Sequence, residues 1–329
     1  MHTIMLNTGQ TFAADPAISI LDAARSHGIA LEYSCRTGRC GVCKAQVLSG
    51  TTRLLRPETE SLTALEEAQG IVLTCCRAAD GDVSLDIEPL ERLAGLEVRT
   101  MPSRIVSIER LAPEIVHVVL RTPPASQLRF LPGQYVDVLI DGVRRSYSLA
   151  NAPRTDGLLE LIVKRYPGGK LSEYWFERAS PNDLIRIEGP FGTFFLRDQA
   201  PTNIIFLATG TGIAPVKALL EELARDPQRA QHHRLSVFWG NREAENFCWD
   251  PASLNLDVAF QHLLSGDRSD WTGARGYVQD AAVRHGIDSQ DSVVYACGSN
   301  AMIASAREKF QMLGLPAKRF FSDAFVSSN

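Results

Sequence analysis

The apolar and polar positions change rhythm twice along the 329-residue chain. The first stretch reads as a small mixed domain. Alternation at Thr3–Leu6 and Thr11–Ala13 predicts two strands. A short helix follows, with Pro16 at its start, Ile18, Leu21 and Ala24 on one face, and Gly28 as its stop. A further strand is expected at Lys44–Leu48. Thr63 and Glu66 have the spacing of a capping box for a second short helix that Gly70 ends. Strands at Ile71–Thr74 and Val83–Ile87 complete the segment, and Pro89 to Pro102 reads as a linker.

The second rhythm is a series of β-branched runs: Arg104–Ile108, Ile115–Arg121, Gln134–Ile140, Arg144–Leu149, Leu158–Lys164 and Leu184–Glu188. Six closely spaced strands suggest an antiparallel barrel, interrupted by one helix at Leu171–Ala179. The third rhythm opens with the strand Asn203–Leu207, a glycine-rich turn and a helix at Pro215–Leu223. Strands at Leu235–Trp239, Val258–Leu263, Ser292–Ala296 and Arg319–Phe321 then alternate with helices. That alternation predicts a parallel sheet covered on both faces. The fold class expected is multidomain α+β and α/β, with domains at 1–92, 101–198 and 201–329.

Composition changes this picture little. Hydrophobic residues make up 45% and charged residues 22%, enough to build ordinary cores. The net charge of −4 argues against a nucleic-acid binder, because no basic excess is available to neutralise phosphates. The N-terminus has no basic segment followed by an apolar run, so no secretory signal is read there. The uncharged run Asn203–Val216 holds two glycines and a proline and is too short to span a bilayer. A cytoplasmic protein is expected.

The seven cysteines matter more. An odd number without a signal argues against a disulfide scaffold, and five of the seven fall in the first 76 residues. Cys35, Cys40 and Cys43 with Cys75 downstream give C-x4-C-x2-C…C, the plant-type 2Fe-2S spacing. Three thiolates from one tight loop can converge on a compact cluster, and Gly38 and Gly41 let the backbone bend around it. Zinc sites usually pair C-x2-C units, which this spacing fits poorly. Leu73-Thr74-Cys75 resembles the ferredoxin pattern, a resemblance that implies Cys75 rather than the adjacent Cys76 as the fourth ligand. Residues 1–90 carry 7 Lys/Arg against 11 Asp/Glu, yet Arg36, Arg39, Lys44 and Arg77 lie beside the candidate ligands. They could offset an anionic cluster or meet an acidic docking patch.

Two further motifs carry chemistry. Arg145-Ser146-Tyr147-Ser148 ends a barrel strand, with Val163-Lys164-Arg165 one strand later. Gly168-Gly169-Lys170-Leu171-Ser172 opens a helix whose N–H groups could receive a phosphate. In the third segment Ala208-Thr209-Gly210-Thr211-Gly212-Ile213-Ala214-Pro215 joins a strand to a helix, where glycines let a pyrophosphate approach. It is not a G-x-G-x-x-G fingerprint. His117 and His262 read as packing residues in strands, and Trp239 and Trp249 as core or rim aromatics.

With these motifs in one order, the chain resembles the ferredoxin–NADP reductase superfamily carrying an N-terminal plant-type ferredoxin domain, over its whole length. It resembles more closely the reductases of CDP-6-deoxy-sugar formation, through Arg145–Asn151, Arg186–Phe195, Trp271–Val278, Tyr295–Ser299 and Phe320–Phe325. The resemblance implies a β-grasp ferredoxin domain, a six-stranded FAD-binding barrel and a doubly wound NAD-binding domain. It implies that Arg145 holds the FAD pyrophosphate, Tyr147 stacks on the isoalloxazine, and Ser148 hydrogen-bonds near its N5. Lys164, Gly169 and Ser172 would serve the rest of the FAD. Gly210, Thr211 and Gly212 would border the dinucleotide pyrophosphate, Cys297 would stand by the nicotinamide, and Asp323 and Phe325 would close the flavin site. Electrons would pass from a nicotinamide dinucleotide through FAD and a 2Fe-2S cluster to an acceptor protein.

Many oxygenase reductases carry prolines after the Cys-Gly pair, where this chain has Ser299-Asn300-Ala301, which favours the sugar-pathway relatives. The acceptor would then be an iron–sulfur dehydrase of CDP-sugars. The alternatives are an oxygenase or hydroxylase component, and a redox-sensing interaction protein of slow turnover. Glu243 and Glu245 after the second parallel strand favour NADH through a ribose hydroxyl; Arg242 beside them could instead hold the 2′-phosphate of NADPH.

Overall fold

A computed structural model of the chain describes residues 1–57, 61–198, 202–266 and 270–325. Residue 201 and residues 326–329, at the ends of the expected third domain, lie outside the described residues. The chain forms two compact units, Met1–Leu96 and Glu97–Asn329.

In the first unit, β1 (His2–Leu6) and β2 (Thr11–Ala14) form a hairpin and α1 (Ile20–Ser26) crosses to β3 (Lys44–Ser49). β4 (Thr52–Leu54), α2 (Ala64–Ala68), β5 (Ile71–Leu73), β6 (Arg77–Ala79) and β7 (Val83–Asp86) follow. The main sheet has the order β2-β1-β7-β3-β5, and only β1 and β7 run parallel. This is the expected β-grasp arrangement, with Ile20, Leu21, Ala23 and Ala24 of α1 buried.

The helix begins later than Pro16. Asp15 first closes a turn, its side chain accepting from Ala17 N and its carbonyl from Ile18 N. Ser19 then caps the helix by accepting from Asp22 N, which leaves Ile18 outside and 38% exposed. The Thr63/Glu66 capping box forms as read. The small sheet of β4 with β6 was not anticipated.

The second unit starts with β8 (Arg99–Ala112), inside the stretch read as a linker. Residues Arg99–Pro102 pair with the later strand β13. β9 (Ile115–Arg121), β10 (Tyr135–Ile140), β11 (Val143–Ser148), β12 (Leu158–Lys164), α3 (Lys170–Glu177) and β13 (Leu184–Phe191) complete an antiparallel sheet. Its order is β11-β10-β13-β8-β9-β12, and one bridge between Leu149 and Leu161 joins its ends into a barrel. Ile105, Val118, Val138, Leu161 and Trp175 fill its interior.

The chain then builds β14 (Asn203–Thr209), α4 (Ile213–Ala224), α5 (Pro227–Gln231), β15 (Arg234–Asn241), β16 (Val258–Leu264), β17 (Ala274–Arg275), α6 (Val278–His285), β18 (Ser292–Gly298), α7 (Asn300–Met312) and β19 (Phe320–Ala324). All its strand pairs are parallel, in the order β17-β16-β15-β14-β18-β19. β14 has β15 on one side and β18 on the other, so the strand order reverses at β14, where such sheets bind ligands beyond their carboxyl ends. Every residue of β18 is buried, as a central strand covered on both faces requires. One apolar core joins Ala112, Ile115, Ala150 and Ile162 of the antiparallel sheet to Val216, Leu219 and Leu220 of α4. Among the described residues, no helix is long and apolar enough to cross a membrane.

Candidate functional site

The cysteine loop turns on residues of positive φ: Arg36 (57°), Gly38 (78°) and Gly41 (69°). Three side chains outside it brace it. Ser61 Oγ donates to Gly38 O at 2.6 Å, Arg56 Nη1 to Arg36 O at 3.0 Å, and Thr74 Oγ1 to Cys43 O at 3.2 Å.

Within this frame the thiols fall into two pairs, Cys35 with Cys40 and Cys43 with Cys75. The hydrogen bond from Cys40 holds Cys35 down to about 5 against the opposing effect of burial. The hydrogen bond from Cys43, assisted by Cys76, holds Cys75 down to about 3. The donating thiols, Cys40 and Cys43, are correspondingly pushed up. Among the described residues, no three or more His, Cys, Asp or Glu side chains gather as a single metal ion needs. Two pairs of thiols suit a two-iron group better than one zinc. Thr37 N–H also points at Cys35 Sγ, at 3.4 Å. Cys76 Sγ lies 3.6 Å from Cys75 Sγ and is directed at Pro57 O, so Cys75 is the one that meets Cys43.

In the second unit, Arg145, Tyr147 and Ser148 lie on β11. Tyr147 Oη accepts from Trp175 Nε1 at 3.2 Å, and burial pushes its hydroxyl up to about 12, so it stays neutral. Arg145 Nη1 donates to Arg144 O at 2.7 Å. Ser148 Oγ donates to Asp323 Oδ2 at 3.4 Å, across 175 positions of sequence.

Asp323 stands on β19 in register with Cys297 on β18. Cys297 is fully buried, and burial with the Asp323 charge raises its thiol well above the ordinary value. Gly210–Gly212 forms a single tight turn, and a Cβ on Gly212 would stand 2.3 Å from Cys297 O. Phe325 N donates to Gly298 O at 2.8 Å. Ser148, the Gly210–Gly212 turn, Cys297, Asp323 and Phe325 are therefore brought together at the carboxyl ends of β14, β18 and β19.

The remaining candidates are not gathered there. Lys164 Nζ lies 3.8 Å from Glu114 Oε2. Ser172 Oγ is engaged by its own turn, donating to Tyr166 O at 3.0 Å and accepting from Tyr166 N at 3.1 Å. A Cβ on Gly169 would lie 2.5 Å from that hydroxyl. The N–H of Gly168, expected to receive a phosphate, donates to Glu173 Oε1 at 2.8 Å.

Several contributors were not read from the sequence. Trp239, expected in the core, is buried but also donates its Nε1 to Gly210 O at 2.8 Å and so holds the turn. Thr209 Oγ1 accepts from Ser299 N at 3.1 Å, tying the turn to the end of β18. His117 is not a packing residue, since its Nε2 lies 3.2 Å from Glu160 Oε2. His262 does pack, 4.3 Å from the Phe247 ring, and Trp249 lies edge-on to Phe260. Asn151, inside a quoted motif but given no role, is fully buried and clamps its own loop to β12.

Three family models match the chain in succession. A 2Fe-2S iron–sulfur cluster binding domain covers 4–80, an oxidoreductase FAD-binding domain 102–196, and an oxidoreductase NAD-binding domain 206–308. The chain is 42% identical over 326 residues to the CDP-6-deoxy-L-threo-D-glycero-4-hexulose-3-dehydrase reductase of Yersinia pestis, covering 98% of this chain and 97% of that one. It is 31% identical to the reductase component of propane 2-monooxygenase from Rhodococcus jostii, over 94% of this chain and 86% of the relative. Among solved structures, the cytochrome P450 reductase GcoB of Amycolatopsis superposes with a TM-score of 0.79 at 26% identity, covering 100% of both chains.

Proposed function

Because the chain belongs to the family of reductases that join a 2Fe-2S cluster binding domain to FAD-binding and NAD-binding oxidoreductase domains, we propose that it carries electrons from NADH to an iron–sulfur dehydrase of CDP-6-deoxy sugars. The observation that carries the choice of acceptor is the 42% identity to a named dehydrase reductase over 98% of the chain. When bound, the flavin and the cluster supply the conversion of a two-electron donor into single electrons.

The residues divide the remaining work. Cys35, Cys40, Cys43 and Cys75 would hold the cluster. Arg145 would neutralise the FAD pyrophosphate, Tyr147 would give an uncharged ring to stack against the flavin, and Lys164, Gly169 and Ser172 would serve its outer end. Gly210, Thr211 and Gly212 leave room for the dinucleotide pyrophosphate. Cys297, held as a neutral thiol by its burial, borders the nicotinamide. Asp323 keeps the Ser148 hydroxyl oriented at the flavin edge, and Phe325 covers it. Glu243 and Glu245 are exposed just beyond β15, where a carboxylate accepts from a ribose hydroxyl, and this supports NADH over NADPH. None of the seven cysteines is in a disulfide, which suits a cytoplasmic setting, where thiols stay reduced.

The test is reconstitution. NADH, this protein and a purified CDP-sugar 3-dehydrase should together give deoxy-sugar product, and none without this protein. Coupling to an oxygenase component but not to the dehydrase would transfer the assignment to the oxygenase reductases, which the 31% identity keeps as the second reading. Cys40→Ser should abolish cytochrome c reduction while sparing NADH-dependent ferricyanide reduction. Survival of both activities would remove the cluster from the exit route.

A further inference from the structure

One face of α4 follows the backbone that leaves β11. Lys217, Glu221 and Arg225 are spaced four apart, so they stack along the helix. Lys217 Nζ donates to Ala150 O at 2.9 Å, to Glu160 Oε2 at 2.9 Å and to Glu221 Oε1 at 2.6 Å, which uses all three of its protons. Glu221 Oε2 accepts from Ala152 N at 2.9 Å. Arg225 donates to Pro153 O and, at 3.4 Å, to Ala152 O. Asn151 lies between these points, its Oδ1 accepting from Glu160 N at 2.7 Å and its Nδ2 donating to Leu158 O at 3.0 Å. The set is sheltered, with Lys217, Glu160 and Glu221 side chains 15%, 12% and 18% exposed.

The two ends of this network matter. Residues 150–153 begin two positions after Ser148, and α4 begins one position after the Gly210–Gly212 turn. The shared apolar core already joins the two sheets, but apolar contact is non-directional and fixes no register. The directed bonds across it do: Lys217 to Ala150 O and Glu160 Oε2, Ala152 N to Glu221, and Arg225 to Pro153 O.

We propose that Lys217 is a positioning residue, which sets the separation between the flavin-side strand end at Ser148 and the dinucleotide turn at Gly210–Gly212. It touches neither cofactor. Its effect is on how closely the nicotinamide approaches the flavin, and small misplacements of that kind cost rate steeply. The proposal rests on reading this cleft as the place where NADH meets FAD.

The experiment is anaerobic rapid mixing of the FAD-loaded full chain with NADH, following loss of flavin colour. Lys217→Met should lower the limiting rate by about tenfold to 10²-fold. The NADH dissociation constant should move by less than about twofold, and FAD content and the flavin spectrum should be unchanged. Removing only Lys217 leaves Glu160 with Arg154 and His117 but takes away the partner of Glu221 Oε1, so Lys217→Met/Glu221→Gln separates the two roles. It should recover the thermal midpoint and leave the rate low. If the double variant recovers its rate with its midpoint, or Lys217→Met reduces its flavin at the wild-type rate, Lys217 has no positioning role. Should Lys217→Met not fold, Lys217→Gln, too short to hold three acceptors, carries the same comparison. Wild-type protein whose flavin NADH does not reduce would instead overturn the proposed function.

Discussion

At Gly212 the chain leaves no room for a side chain, and the obstacle is the protein itself. An added Cβ would lie 2.3 Å from Cys297 O and 2.7 Å from Cys297 C, backbone atoms of a fully buried strand. The glycines of this turn read as leaving room for a pyrophosphate, but with a larger residue the turn must shift before any ligand arrives. Gly212→Ala should raise the KM for NADH roughly tenfold, about 1.4 kcal/mol of binding, while the protein retains its FAD. An unchanged KM in steady-state ferricyanide reduction would show the turn plays no part. The cysteine spacing was legible because thiolate ligands must converge from a short loop. The partition between Cys75 and Cys76 was less so, since it depends on which thiol the chain directs at Cys43 and which at Pro57. The role of Trp239 left no local signal, because its partner Gly210 is 29 positions away.

Among elements, the contact of β12 with the charged stripe of α4 has a pH signature. Burial works to raise Glu160, but the hydrogen bond from His117 and the Lys217 ammonium outweigh it and hold the carboxyl at about 2, below its ordinary 4.5. The carboxylate's contribution is fully present above pH 4.5 and is lost as the pH falls toward 2, on the order of 3 kcal/mol. Glu160→Gln should therefore flatten the acid limb of stability between those limits, read by denaturant unfolding at stepped pH. A limb as steep as wild type would mean other carboxylates control it. Most strands were visible as β-branched runs, and the parallel sheet as buried runs alternating with helices. The start of β8 was not, because Pro102 reads as a break. A proline is tolerated there since β9 pairs with β8 only from Arg104 onward, so residues 99–103 have β13 alone as a neighbour. β4 and β6, Thr-Arg-Leu and Arg-Ala-Ala, are too short to show alternation.

At the scale of the molecule, the flavin and nicotinamide sheets share one apolar core, while residues 1–96 form a unit of their own. Calorimetry should resolve two transitions rather than three. Cys43→Ser should lower the midpoint of one of them, since thiolate ligation contributes directly to the stability of the fold that supplies it. The other should stay within about 1 °C, as independent units require. A joint shift of both would mean the units do not unfold independently.

β11 stands at one end of its sheet, hydrogen-bonded along its length to β10 and tethered to β12 by the bridge at Leu149 and Leu161. Border strands fray first, so the segment bearing Arg145, Tyr147 and Ser148, like β12 at the other end, gains order from a companion. The FAD proposed to bind here would serve as that companion, splinting its own berth. Deuterium uptake over 143–148 should drop sharply when flavin is returned to stripped protein, with little change in β8 at the centre of the sheet.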